Sequence, residues 1–198
     1  ATPEIYTLSL HDALPIFISS RLRHPMQITV KLGAKKDGRL TAMDMKVLAN
    51  TGAYGVHALT VPMNGCSKSL PLFKCENVHY SVTSYYTNMP ISGAYQGYGA
   101  PQGSFAVQTT AAEMAHELGM DFYDFLEKNR VCEGYRLEIL KCLGEGQEGI
   151  PQVISTCGLG EALRKGREKI AWGVKTSSPD PDVDRKSTRL NSSHVSHS

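Results

Sequence analysis

Residues 93–103 read GAYQGYGAPQG, with four glycines, two tyrosines, two glutamines and a proline in eleven positions. Glycines give up side chains where another group must come close to the backbone or where φ must be positive. Such a loop running into a helix can aim N–H groups at an anion or an oxo ligand, helped by the positive end of the helix dipole. A dinucleotide fingerprint needs G-x-G-x-x-G; Gly97 and Gly99 have the first spacing, but position 102 is Gln and the next glycine is Gly103. A Walker phosphate loop needs Gly-Lys-Ser/Thr, and none follows. Two readings stay open at this point: a turn whose glycines serve only positive φ, or a cradle for an oxygen-bearing group.

Other chemistry-bearing residues are weaker. Glu113 and His116 sit three apart, as in half of a carboxylate metal site, but with no second such pair a solvated helix face is the simpler account. His24, His57 and His79 lack partners at ligand spacing and read as structural histidines. Arg164, Lys165, Arg167 and Lys169 read as a solvated helix face. Among Tyr85, Tyr86, Tyr95 and Tyr98, Tyr98 is the best placed to stack on a planar substrate.

The elements that must carry the loop follow from periodicity. Strands are expected near Met26–Leu32 and Arg39–Ala49, joined at Asp37-Gly38, a strong hairpin pair because both positions tolerate positive φ. Residues 51–72, punctuated by Gly and Pro, read as irregular, and 78–87 as a strand. From Pro101 the period changes: Val107, Ala111, Met114 and Leu118 form a helical stripe ending at Gly119. Asp121 caps a second helix with Phe122, Phe125 and Leu126 inward. Residues 145–158 read as a loop, 160–173 as a third helix with a charged outer face, and 175–182 as a linker or loop. The fold class is α+β, strands first and helices after.

The whole chain has 198 residues, 41% hydrophobic and 20% charged, as a soluble domain does. A net charge of +2 gives no case for nucleic acid or an anionic membrane, and no apolar run is long enough to span a bilayer. No signal peptide is read. Five scattered cysteines without a CxxC pair suit a reduced, cytoplasmic protein. The first sixteen residues and the Ser/Arg/His-rich tail from 184 to 198 resemble translated sequencing-adaptor sequence, so native protein is expected over about Phe17–Val183.

The stretches "ISSRLRHPM", "KKDGRLTAMDMKVLANTGAYG", "TNMPISGAYQGYGAPQ", "AAEMAHELGMDFYDFLEKN" and "CGLGEALRKGREKIAWG" resemble, in that order, the molybdenum-binding large subunit of xanthine dehydrogenases and aldehyde oxidases. The resemblance implies a partial molybdenum-cofactor-binding domain over 17–150, with 151–183 starting the next molybdenum-binding segment. It implies an oxidoreductase that hydroxylates a purine or other N-heterocycle, or an aldehyde, with oxygen from water. Its cofactor would be a molybdenum–pterin, as molybdopterin or its cytidine dinucleotide. Electrons would leave through [2Fe–2S] clusters and FAD in partner domains or subunits, and the full-length protein would be an oligomer.

Residue by residue, the resemblance places Ala94, Tyr95, Gln96 and Gly97 beside the cofactor, Gln96 nearest the metal, and Tyr98 and Asn64 toward the substrate. The family usually has arginine at the position of Gln96, and its purine-oxidising members place one near Asn64. The family's general-base glutamate matches no Glu of this chain, so the chain alone is expected to be inactive. A second hypothesis is a non-catalytic module that holds a small anion or a partner with the Gly/Tyr loop. A piece of a larger enzyme should leave apolar faces open, such as Phe122/Phe125/Leu126 or Ile170/Trp172; a complete small domain should cover them.

Overall fold

The computed structural model describes residues 20–142 and 148–173. The 1–16 and 184–198 segments and the 175–182 stretch lie outside the described residues. Strand β1 (Met26–Ala34) and strand β2 (Leu40–Asn50) form the expected antiparallel hairpin. Its turn is closed by the Gly38 N–H donating to the Lys35 carbonyl at 2.8 Å, with Gly38 at φ +84°. A side chain at that φ would be strained, which is why the Asp-Gly pair marks the turn.

Strand β3 (Asn77–Tyr85) joins the other edge of β2 in parallel, so the sheet order is β1-β2-β3 with β2 central. A parallel pair needs a crossover, and helix α1 (Thr60–Ser69) supplies it. This corrects the expectation that residues 51–72 are irregular throughout. Pro62 falls in the first turn, where a missing N–H costs nothing, and Gly65 lies where α1 meets another backbone. Packing, rather than propensity, makes this segment helical.

Helix α2 (Ala100–Glu117) crosses the sheet. Its buried line is Gly103, Val107, Ala111 and Ala115, a four-residue repeat, while Met114 and Leu118 flank it half-buried. In the same core are Met43, Met45, Val47 and Ala49, alternate residues of β2, each at most 2% exposed. Burying side chains of the Met or Val kind contributes about 1.5–3 kcal/mol apiece.

Asp121 caps helix α3 (Phe122–Asn129), its Oδ1 accepting the Tyr123 N–H at 2.9 Å. Phe125 is fully buried, and Phe122 and Leu126 pack on the same core, so this face is covered within the chain. The buried Asn129 side chain ties α3 to the hairpin: Oδ1 accepts from Leu40 N at 2.8 Å, and Nδ2 donates to the Gly38 and Phe125 carbonyls at 2.8 and 2.9 Å.

In the stretch expected to be a loop, strand β5 (Gln152–Val153) pairs with strand β4 (Arg136–Leu137). Helix α4 (Leu159–Lys169) buries no residue. Its charged face carries the i,i+4 pairs Arg164–Glu168 and Lys165–Glu161, and Ile170 and Trp172 beyond it remain 67% and 43% exposed. No helix among the described residues is long and apolar enough to cross a membrane.

Candidate functional site

The loop of residues 93–99 leaves the sheet beyond β3 and enters α2. Its start is stitched to two other segments: Leu22 N donates to the Ile91 carbonyl, Gly93 N to the Leu22 carbonyl, and Ser92 N to the Thr51 carbonyl, at 3.0, 3.0 and 3.1 Å. Three successive residues then take positive φ, namely Gly97 (+86°), Tyr98 (+44°) and Gly99 (+89°). A non-glycine residue in this region is uncommon and costs energy, so the surroundings must hold Tyr98 there.

They do so from α1. The Asn64 Nδ2 donates to the Tyr98 carbonyl at 2.9 Å, and the Tyr98 hydroxyl lies 2.7 Å from Thr60 Oγ1. The His57 ring meets the Tyr98 ring edge-on with centroids 5.6 Å apart. Tyr98 is thus half-buried on the inner side of the loop, while Tyr95, Gln96 and Gly97 are exposed and Ala94 is half-buried.

The glycines divide into two jobs. A Cβ on Gly99 would stand 2.0 Å from the Val61 carbonyl oxygen, and one on Gly103 would stand 2.2 Å from that of Gly65. What comes so close at these two positions is helix α1. Gly97 is different: a Cβ there would strike the Pro101 ring at 2.5 Å, so its freedom serves the turn itself. Within the loop, residues 95–97 are the exposed ones.

Over residues 94–97 three of the four carbonyls are taken. Tyr95 O accepts from Tyr98 N at 2.7 Å, Gly97 O from Ala100 N at 3.0 Å, and Gln96 O from Arg23 Nη2 at 2.8 Å. Among the described residues, no hydrogen bond occupies the N–H groups of Gln96 and Gly97. The potential there is positive: α2 has neither a side-chain cap nor an acidic residue in its first turn, and Arg23 lies beside the turn.

Arg23 escaped the sequence reading. Its guanidinium also sits 4.6 Å from the Tyr95 ring centroid and reaches Gln102 Oε1 at 3.3 Å. The one hint was its place in "RLRHPM", far along the chain from any partner.

Next to it His24 is 2% exposed, and both its ring nitrogens are buried without a hydrogen-bond partner among the described residues. Burial lowers its pKa, the nearby Gly93 backbone partly offsets this, and His57 lowers it further. Among the described residues His24 thus lacks the well-formed hydrogen bond of an ordinary structural histidine. His79 is exposed and pairs with Asp44 at 2.7 Å on the outer face of the sheet. Glu113 is half-buried and His116 exposed, and no group of three or more potential metal-ligating side chains occurs among the described residues.

Comparison with known proteins gives the family of the chain. The molybdopterin cofactor-binding domain model matches residues 12–130. Over 167 residues the chain is 53% identical to the Escherichia coli K12 protein named "Probable hypoxanthine oxidase XdhD", covering 83% of this chain and 17% of that protein. It is 34% identical over 156 residues to the xanthine dehydrogenase molybdenum-binding subunit of Escherichia coli O157:H7, covering 79% of this chain and 19% of that one. Among solved structures, the aldehyde oxidoreductase of Desulfovibrio gigas superposes with a TM-score of 0.61 at 28% identity, over 74% of this chain and 15% of that one. The chain therefore spans less than a fifth of each of these relatives. With a matching domain model over more than half its residues and relatives of this kind, the chain belongs to the molybdopterin cofactor-binding domain family of the xanthine dehydrogenase and aldehyde oxidase type of oxidoreductase.

Proposed function

We propose that the full-length protein is a molybdenum hydroxylase that inserts water-derived oxygen into a purine or related N-heterocycle, with an aldehyde as the alternative substrate. Electrons would pass to [2Fe–2S] clusters and FAD in partner domains or subunits, in a cytoplasmic oligomer. The observation that carries this reading is the exposed Tyr95–Gln96–Gly97 turn, whose Gln96 and Gly97 N–H groups have no partner among the described residues and lie beside the Arg23 guanidinium and the positive end of α2. Donors without acceptors, in positive potential, fit a group that presents oxygen atoms and negative charge. A molybdenum–pterin cofactor, as molybdopterin or its cytidine dinucleotide, is such a group. When bound, it supplies two-electron redox chemistry and activates water.

The chain's own residues have separable tasks. Ala94, Tyr95, Gln96 and Gly97 would hold the cofactor, with the Gln96 side chain toward the metal. The Gln96 amide offers a neutral donor and acceptor, and the fixed charge nearby is that of Arg23. Tyr98 would present its ring to a flat substrate, braced by Thr60 and His57. Asn64 would belong to the same substrate side, with its amide already engaged on the Tyr98 carbonyl and its Oδ1 accepting from Ser67 Oγ at 3.1 Å. The carboxylate that removes a proton from water would come from another part of the protein.

The test is to purify the full-length protein, measure molybdenum and pterin per protomer, and follow hypoxanthine and an aromatic aldehyde in H2(18)O. Molybdenum at stoichiometric level and label in oxidised hypoxanthine are expected. A cofactor-free protein that oxidises neither compound would sink the reading and leave an anion- or partner-binding module. Label in the acid made from the aldehyde alone would move the substrate to the alternative class.

A further inference from the structure

A trans peptide unit points its C=O and its N–H in opposite directions. Whatever grips the Gln96 carbonyl therefore also sets the direction of the Gly97 N–H. Arg23 Nη2 holds that carbonyl at 2.8 Å, its guanidinium lies over the Tyr95 ring at 4.6 Å, and Nη1 reaches Gln102 Oε1 at 3.3 Å. Gln102 in turn donates to the His24 carbonyl at 3.4 Å, which closes a ring of contacts between residues 23–24 and the first turn of α2. One planar cation thus touches both sides of the turn, a role for which a flexible ammonium is poorly suited.

We propose that Arg23 is a positioning residue for the cofactor. It aims the Gly97 N–H away from the protein and supplies the fixed positive charge beside the oxygen atoms of the group bound at 94–97. This rests on the cofactor-binding reading of the turn given above.

The experiment uses the full-length protein with Arg23→Met, which keeps the stem and removes donors and charge, and Arg23→Lys, which keeps the charge and N–H donors but loses the planar fork. Two quantities are followed: amide exchange of Tyr98 and Ala100 in cofactor-free protein, and the half-time of molybdenum release in mild urea. For Arg23→Met, faster exchange at both amides and about tenfold faster release are expected, the size of one charge-assisted hydrogen bond. Arg23→Lys should fall between Arg23→Met and the parent. Amides around Asn129 serve as the control and should not change.

Unchanged exchange in Arg23→Met overturns the positioning role, even if release quickens. Faster exchange with unchanged release overturns it as well, because the order of the turn would then not matter to the cofactor. Should the parent protein hold no molybdenum or pterin, the cofactor reading fails and the proposal with it, and the exchange arm then reports only whether Arg23 holds the turn.

Discussion

Asn64, from the middle of α1, donates its side-chain amide to the carbonyl of Tyr98 at 2.9 Å and so holds the one non-glycine residue among three successive left-handed positions. The amide's orientation is itself settled by Ser67, whose hydroxyl donates to Asn64 Oδ1 at 3.1 Å. Asn64→Ala should cost about 1 kcal/mol, the usual net worth of one such bond. Asn64→Asp should cost more, because a carboxylate would face a carbonyl with no proton between them. Urea unfolding of both variants checks the order.

Two glycine-to-alanine changes should act with opposite sign. Gly103→Ala puts a methyl 2.2 Å from the Gly65 carbonyl oxygen, where only backbone can yield, and overpacking of this kind costs about 1–3 kcal/mol. Gly166 lies inside α4 with nothing within 4 Å of a new Cβ, so Gly166→Ala should stabilise by about 0.5–1 kcal/mol. Helicity against temperature would show the first melting early and the second late.

Asn129 satisfies the Leu40 N–H and the Gly38 carbonyl from a fully buried position. Asn129→Ala leaves both without a partner, at a cost of about 1–3 kcal/mol for each. Hydrogen exchange should show the Leu40 amide losing protection before amides of β3 do.

His24 gives the fold a pH dependence of known sign. Burial lowers its folded pKa below the unfolded value of about 6.5. The unfolded chain then binds more protons, so this contribution is fully present above about pH 6.5 and fades as pH falls toward the lowered folded value. Unfolding free energy should drop as pH falls below about 6.5, with a slope of at most about 1.4 kcal/mol per unit from this group. Arg23 and His57 are the charged and titratable neighbours, and His24→Gln should flatten the slope whatever they do.

How far the sequence could be followed depended on where each element's cause lies. The hairpin was legible because Asp37-Gly38 carries its own turn geometry, and α2 and α3 because their apolar spacing and the Asp121 cap are local. Helix α1 was not, because the Gly65 backbone contact that rewards its helicity comes from residues 99–103. The parallel placement of β3 follows from that same crossover.

The Gly/Tyr loop stood out from composition alone. Its division into packing glycines and an exposed turn needed the position of α1. Arg23 needed the folded chain as well, since 73 residues separate it from the carbonyl it grips. Of the two faces expected to lie open, Phe122/Phe125/Leu126 is filled by the chain itself and Ile170/Trp172 is not.

The meeting of α1 and α2 at Gly65, Gly99 and Gly103 is backbone against backbone. A joint made this way has no rotamers to choose among and no side chain whose exchange could reset its spacing. The exposed side chains around it, Leu59 and Phe105 among them, can therefore be traded for others without carrying the turn along. The chain thus separates a fixed backbone joint from the side chains that surround it, and the spacing of the two helices is set by the joint alone.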